Sequence, residues 1–370
     1  MKSKPSTRVH AAGSKISLTL CSLTSATICR MTTALLPDLA EVLDTLSVVQ
    51  IPMRVRFRGV TVREVALIHG PKGWGEFAAF PEYDDLESSR WLEAALEAGW
   101  VGWPDPVRNA IPVNATVPAV PSAEVAGILA GYDGCTTVKV KVAERGQALR
   151  EDLDRVAEVR DVMDPGVRIR VDANGAWTVA EAVDALRRLA TYSLEYAEQP
   201  CASVEELAAL RVALARNGID VLVAADESIR RALDPMRVVR QEAADVIVVK
   251  VAPLGGVRAA LAIAQECGLP TVVSSALDTS VGIRAGLALA AALPELPFAC
   301  GLSTVELMAG DVTDDSLVPH AGSIELREPQ VDAGLLNRWQ APADRQRWWR
   351  ERVVRCHAHC AMWPSGRSAR

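Results

Sequence analysis

The sequence predicts an α/β protein: a (β/α)₇β barrel, TIM-like, with a smaller α+β capping domain on its N-terminal side. Three observations carry that prediction. Between residues 111 and 305, short runs rich in Val and Ile alternate with Ala-, Leu-, Glu- and Arg-rich segments of helical period, at about 25 residues per unit. Ahead of them, residues 48–80 show the alternation of antiparallel strands. The third observation is an absence. Ala119-Val120-Pro121-Ser122, after the first parallel strand, lacks the glycine-rich phosphate turn expected of a doubly wound open sheet.

In the capping domain, Met53–Phe57 and Val62–Ile68 alternate about a turn at Arg58-Gly59, and a second turn follows at Gly70-Pro71-Lys72-Gly73. Leu86 to Gly99 reads as an amphipathic helix. Barrel strands are predicted at Val113–Ala119, Thr137–Val142, Arg168–Asp172, Leu194–Glu198, Val221–Ala225, Val246–Val251, Thr271–Ser275 and Ala299–Leu302. Seven helical patterns separate them, among them Thr178–Ala190 and Val204–Arg216. Thr178 and Ser203 serve as N-caps, and Gly218 and Gly268 as stops. The expected division is an extension over 1–30, the capping domain over 31–110 and the barrel over 111–305. Part of 306–345 returns to the cap, and a basic C-terminal tail covers 346–370.

Composition removes several function classes. With 49% hydrophobic and 23% charged residues the chain is globular, not disordered. A net charge of −6 argues against a general nucleic-acid binder, and 5% aromatics against base-stacking platforms. No apolar run reaches spanning length; the longest, Ala285–Pro294, stops at Glu295, so no stable membrane insertion is expected. The eight cysteines are scattered and mostly sit in apolar runs, which fits a reducing compartment and a cytoplasmic protein. Residues 1–37 lack Asp and Glu and carry five basic residues. That composition suits a targeting peptide, a disordered extension, or an early start with Met31 opening the protein proper. Cys356, His357, His359 and Cys360 are metal-ligand types, but their spacing matches no standard zinc pattern. A packed last helix with a frayed tail accounts for this region better.

The chemistry gathers at the C-terminal ends of the barrel strands. A charge inside a doubly buried strand is costly except at this mouth. Strand two carries Lys139 and Lys141 on one face; strands three to six end in Asp172, Glu198, Asp226 and Lys250. From Lys141 onward the offsets are 31, 26, 28 and 24 residues, about one βα unit each, so these groups ring one rim. Three carboxylates on adjacent strands make a hard oxygen site suited to Mg²⁺, with Mn²⁺ as a substitute. None of the five histidines falls in the barrel segment, which leaves lysine as the proton carrier. Lys139 is expected to lower the pKa of Lys141.

Taken together, Lys139-Val140-Lys141, Asp172-Ala173-Asn174-Gly175, Glu198-Gln199-Pro200, Asp226-Glu227-Ser228 and Lys250 resemble the enolase superfamily, in its lysine-pair, muconate-lactonizing-enzyme-like branch. Within that branch, Val138–Val142, Ser274–Gly282, Gly301-Leu302-Ser303-Thr304 and Gly73–Phe77 are similar to the actinobacterial o-succinylbenzoate synthase family. The resemblance spans about residues 45–345. It implies a Mg²⁺-dependent lyase that syn-dehydrates a small cyclohexadiene carboxylate to 2-succinylbenzoate, on the way to menaquinone. It further implies Lys141 as the base, Lys250 as the opposing electrostatic group, and Asp172, Glu198 and Asp226 as metal ligands. Asn174, Ser274, Ser275 and Thr304 become candidate substrate contacts, and the segment near Pro52–Arg56 a closing loop. Racemisation of N-acylamino acids or epimerisation of dipeptides could use the same lysines; Glu82, Asp84 and Asp85 are candidate partners for a substrate amine. A glycoside hydrolase barrel and a non-catalytic binding barrel fit the charges less well. The sequence is silent on oligomeric state.

Overall fold

The computed structural model describes residues 36–361 except Arg58 and Leu233. The predicted extension over 1–30, Arg58 of the first turn, and residues 362–370 of the tail lie outside the described residues. After a short helix α1 (Leu39–Asp44), strands β1 (Ser47–Phe57), β2 (Val60–Gly70) and β3 (Gly73–Phe77) form an antiparallel sheet in that order. Gly73 holds φ at +140°, a conformation only glycine takes freely, and closes the second turn. Helix α2 (Asp85–Leu96) is capped by the Asp84 carboxylate, which accepts from the Glu87 N–H at 2.7 Å.

Strand β4 (Ala110–Pro112) precedes the barrel, which opens with β5 (Ala115–Val117), followed by α3 (Val125–Leu129). There follow β6 (Thr137–Lys141), α4 (Leu149–Val162), β7 (Arg168–Asp172), α5 (Val179–Leu189), β8 (Leu194–Glu198), α6 (Val204–Arg216) and β9 (Val223–Ala225). The fifth unit continues through short helices α7 (Glu227–Arg230) and α8 (Arg237–Arg240) to β10 (Val246–Val249). The sixth runs through α9 (Val251–Leu254) and α10 (Val257–Cys267) to β11 (Thr271–Val273), and the seventh helix is α11 (Ser280–Ala292). Thr178 and Ser203 cap α5 and α6, each with a Glu three residues on bonding back to the cap.

Strands β5 to β11 form a seven-stranded parallel sheet. The predicted eighth strand shrinks to two bridges, Cys300 with Val113 and Gly301 with Ser274. Those bridges join the sheet's two edges and close the barrel. Cys300 donates to Pro112 O at 2.7 Å on one side, and Gly301 donates to Val273 O at 2.8 Å on the other. The predicted sixth strand is corrected as well, because β10 stops at Val249 and Lys250 opens a helical turn.

Beyond the barrel the chain runs back along the cap. Ala309 donates to Pro52 O and Ala341 to Val48 O, while β12 (Ser323–Glu325) pairs with β4. A short helix α12 (Ala333–Arg338) leads to α13 (Ala343–Ala361), which packs on α2. The predicted basic tail is therefore, through residue 361, a helix with a buried stripe of Trp349, Val353, Cys356 and Cys360 at helical spacing. The cysteines point into that core, while His357 meets Pro37 O at 2.9 Å.

Two cap glutamates fasten the cap to the barrel by capping barrel helices. Glu76 accepts from the Thr279 and Gly282 N–H groups at the start of α11. Glu97 accepts from Val257 N at 2.5 Å and Arg258 N at 3.3 Å at the start of α10, whose own N-cap residue, Gly256, has no side chain to offer.

Candidate active site

Strand periodicity places the charges. In β6 the side chains of Val138 and Val140 join the apolar core outside the sheet, so Lys139 and Lys141 share the inner face. The ladder sets Lys141 opposite Asp172, Asp172 opposite Glu198, and Glu198 opposite Ala224, two residues before Asp226. None of the six predicted charges exposes more than 7% of its surface. Strands β6 and β10 stand second and sixth around an eight-position barrel. Lys141 and Lys250 therefore approach the mouth from opposite sides.

The buried charges neutralise one another in pairs. Lys139 Nζ lies 3.1 Å from Glu198 Oε1 and 3.7 Å from Asp172 Oδ2. Lys141 bonds Asp172 and donates to Asn174 Oδ1 at 2.8 Å. Lys250 donates to Asp226 Oδ2 at 2.5 Å. Burial pushes the Glu198 carboxyl up, and the neighbouring Asp172 charge adds to it, to about 7. Asp226 moves the other way: burial raises it, but Lys250 and Arg230 outweigh that and hold it at about 2. Lys139 is raised because Glu198 and Asp172 outweigh its burial. In this arrangement Lys139 is a firmly charged partner of two carboxylates.

A narrow cavity of about 30 Å³ opens at this mouth, with room for little more than a water molecule between the side chains as they stand. Lys139, Lys141, Asp172 and Lys250 line it, with Phe57, Phe80 and Trp91 as an apolar roof contributed by the cap. Ser274, Ser275 and Thr304 line it too. Ser275 Oγ lies 2.7 Å from Thr304 Oγ1 and donates to Gly301 O at 2.9 Å. Asn174 stands beside Lys141, held at φ +48°.

The structure corrects the predicted closing loop. Pro52–Arg56 belongs to β1, which runs on to Phe57, and Phe57 pairs with Val60 at the hairpin end. The acidic candidates for a substrate amine are also elsewhere. Asp84 caps α2, Asp85 pairs with Arg355 at 2.8 Å, and none of Glu82, Asp84 or Asp85 lines the cavity.

Several residues escaped the sequence reading. Gln199, fully buried at φ +38°, accepts from Asp226 N at 2.9 Å and Ser228 N at 3.2 Å, and so fixes the backbone that carries Asp226. Arg230 sits four residues after Asp226, a spacing that a short helix turns into contact. The roof aromatics gave no signal, since alternation marks a buried residue but not the partner it faces.

The donor chemistry suits a divalent cation, with three buried carboxylates on successive strands, all hard oxygen ligands; as arranged here each is engaged by a lysine, and the three do not converge on one point. Burial lifts Glu198 most, and the repulsion from Asp172 that adds to it is the part that a bound Mg²⁺ would relieve.

Residues 123–335 match the family described as Enolase C-terminal domain-like, and residues 48–99 the one described as Enolase N-terminal domain-like. Over 281 residues the chain is 58% identical to an o-succinylbenzoate synthase of Thermobifida fusca, covering 76% of this chain and 87% of that protein. Over 323 residues it is 53% identical to an o-succinylbenzoate synthase of Mycolicibacterium smegmatis, covering 87% and 98%. In fold it is similar to muconate lactonizing enzyme from Pseudomonas fluorescens, with a TM-score of 0.67 at 19% identity over 80% of this chain and 98% of that one. It is likewise similar to an N-succinyl Arg/Lys racemase from Bacillus cereus, with a TM-score of 0.66 at 18% identity over 80% and 97%.

Proposed function

The chain belongs to the enolase superfamily and, within it, to the o-succinylbenzoate synthases, and from that premise we propose how its residues carry out the reaction. The reaction is the syn-dehydration of 2-succinyl-6-hydroxy-2,4-cyclohexadiene-1-carboxylate to 2-succinylbenzoate, a hydro-lyase step in menaquinone biosynthesis. The observation that carries the reading is the pair of lysines on opposite sides of one cavity, with three buried carboxylates between them along the barrel wall.

Asp172, Glu198 and Asp226 would hold Mg²⁺, or Mn²⁺ in its place. When bound, the metal supplies Lewis-acid stabilisation of the charge that builds on a substrate carboxylate as its α-proton leaves. Lys141 takes that proton at Nζ and returns it to the departing hydroxide, so acid and base are one group on one face. Asn174, beside it, orients the amine. Lys139 stays charged next to Glu198 and Asp172 and contributes a fixed positive field. Lys250, from the far side, stabilises the developing enolate electrostatically. Ser274, Ser275 and Thr304 present hydroxyls to the substrate, and the Phe57–Phe80–Trp91 roof keeps water out.

The partner is a small carboxylate, not a nucleic acid. No helix among the described residues is long and apolar enough to cross a membrane. The six described cysteines are buried free thiols, which supports a cytoplasmic setting. The test is turnover of the cyclohexadiene carboxylate with Mg²⁺, followed by loss of its ultraviolet absorbance. Turnover that stops on chelation supports the reading. A folded, Mg²⁺-binding protein that leaves the compound untouched overturns it, and α-proton exchange of N-acylamino acids in deuterated water then tests the racemase.

A further inference from the structure

The geometry points to Arg230 as a positioning residue that fixes Asp226 and ties it to the capping domain through Tyr83. This inference rests on the proposed metal-binding role of Asp226. Asp226 occupies the N-cap position of α7, and Arg230 is the last residue of that helix. One helical turn therefore folds the guanidinium back over the carboxylate. Arg230 Nε donates to Asp226 Oδ1 at 3.1 Å, Nη2 to Glu227 Oε1 at 2.6 Å, and Nη1 to the Tyr83 hydroxyl at 3.3 Å. The side chain is almost wholly buried and lines the cavity, so water does not substitute for these bonds.

The consequence follows from which oxygen is used. Arg230 occupies Oδ1, which leaves Oδ2 as the oxygen on the Lys250 side of the mouth. A planar fork with several donors can hold three partners in one plane; a lysine ammonium on a flexible stem cannot. Tyr83 brings in the cap. It precedes α2, its ring lies 5.1 Å from the Arg231 guanidinium, and Glu87 of α2 pairs with Arg231 at 3.1 Å. The start of α2 is thus docked on the turn that carries the ligand. Cap docking and the aim of Asp226 are one structural event, so metal affinity depends on a cap residue that touches no metal.

The experiment is calorimetric titration of the full-length protein with Mg²⁺ alone, for wild type, Arg230→Lys and Tyr83→Phe, with unfolding temperatures measured in parallel. Charge loss by itself would tighten cation binding, so Arg230→Lys, which keeps the charge and removes the fork, isolates positioning. Supporting residues around metal ligands are worth about 10-fold or more in affinity, and Arg230→Lys is expected to weaken Mg²⁺ binding by that much. Tyr83→Phe, which removes one hydroxyl, is expected to weaken it in the same direction by a smaller factor. Both variants binding Mg²⁺ like the wild type, whatever their unfolding temperatures, overturns the inference. A wild type that binds no Mg²⁺ overturns the metal reading itself and this inference with it.

Discussion

Gly256 is where the cap–barrel joint is tightest, and it yields a prediction with a worked magnitude. Its φ is +124°, and an added Cβ would stand 2.2 Å from Glu97 Oε2 and 3.0 Å from Glu97 Cδ. Gly256→Ala therefore carries two separable costs. Backbone strain at such a φ costs about 1–3 kcal/mol. Displacing Glu97 from the start of α10 removes a helix cap, about 0.5–2 kcal/mol. The sum is about 3 kcal/mol, and at roughly 0.7 kcal/mol per degree for a chain of this length it lowers the melting temperature by about 4 °C. The assay is thermal unfolding of a four-member cycle: wild type, Gly256→Ala, Glu97→Ala and the double variant. With Glu97 already gone the cap share cannot be lost twice, so the glycine substitution should then cost only its strain, about two thirds as much. Equal costs of Gly256→Ala in both backgrounds would refute the trans-capping argument.

Three further outcomes are expected. Glu76, buried beside Asp278 at the second cap joint, is pushed up to about 8 from an ordinary 4.5. An acid raised by folding binds its proton more tightly in the folded chain, so its contribution to stability falls as pH rises from about 4.5 through 8. Glu76→Gln, which cannot ionise, should flatten that decline in unfolding temperature measured across the range. Trp349 is fully buried in α13 and donates to Glu64 at 2.7 Å. Trp349→Ala should cost about 3–5 kcal/mol in denaturant unfolding; a change under about 1 kcal/mol would mean that α13 is dispensable to the fold. Asp172→Asn should abolish calorimetric Mg²⁺ binding while the barrel remains folded by circular dichroism.

The sequence made the barrel readable because its strands are buried on both sides. Runs such as Val246–Val249 carry that burial in their composition, and the caps Thr178 and Ser203 mark helix starts by chemistry alone. The strand-end charges were legible for a related reason: Lys141, Asp172 and Glu198 would be prohibitively costly in a buried strand unless they faced a shared site. The eighth strand was overdrawn because two bridges suffice to close the barrel, and composition does not report ladder length. The packed last helix was legible although Arg345, Arg350, Arg352 and Arg355 dominate its charge. The Trp349–Cys360 stripe beneath them is what packs on α2. Arg230 was invisible since its importance lies in three contacts, one reaching back 147 residues to Tyr83. A contact of that range leaves no local periodicity.

The central claim is that Lys141 moves the proton, and it is tested most directly by Lys141→Ala assayed on the cyclohexadiene carboxylate at saturating Mg²⁺, with Mg²⁺ binding measured on the same preparation. Removing a positioned acid–base group typically costs about 10²–10⁴-fold. The account expects a loss in that range or beyond, with Mg²⁺ still bound. A Lys141→Ala protein that binds Mg²⁺ and turns the substrate over within a few-fold of wild type would contradict it.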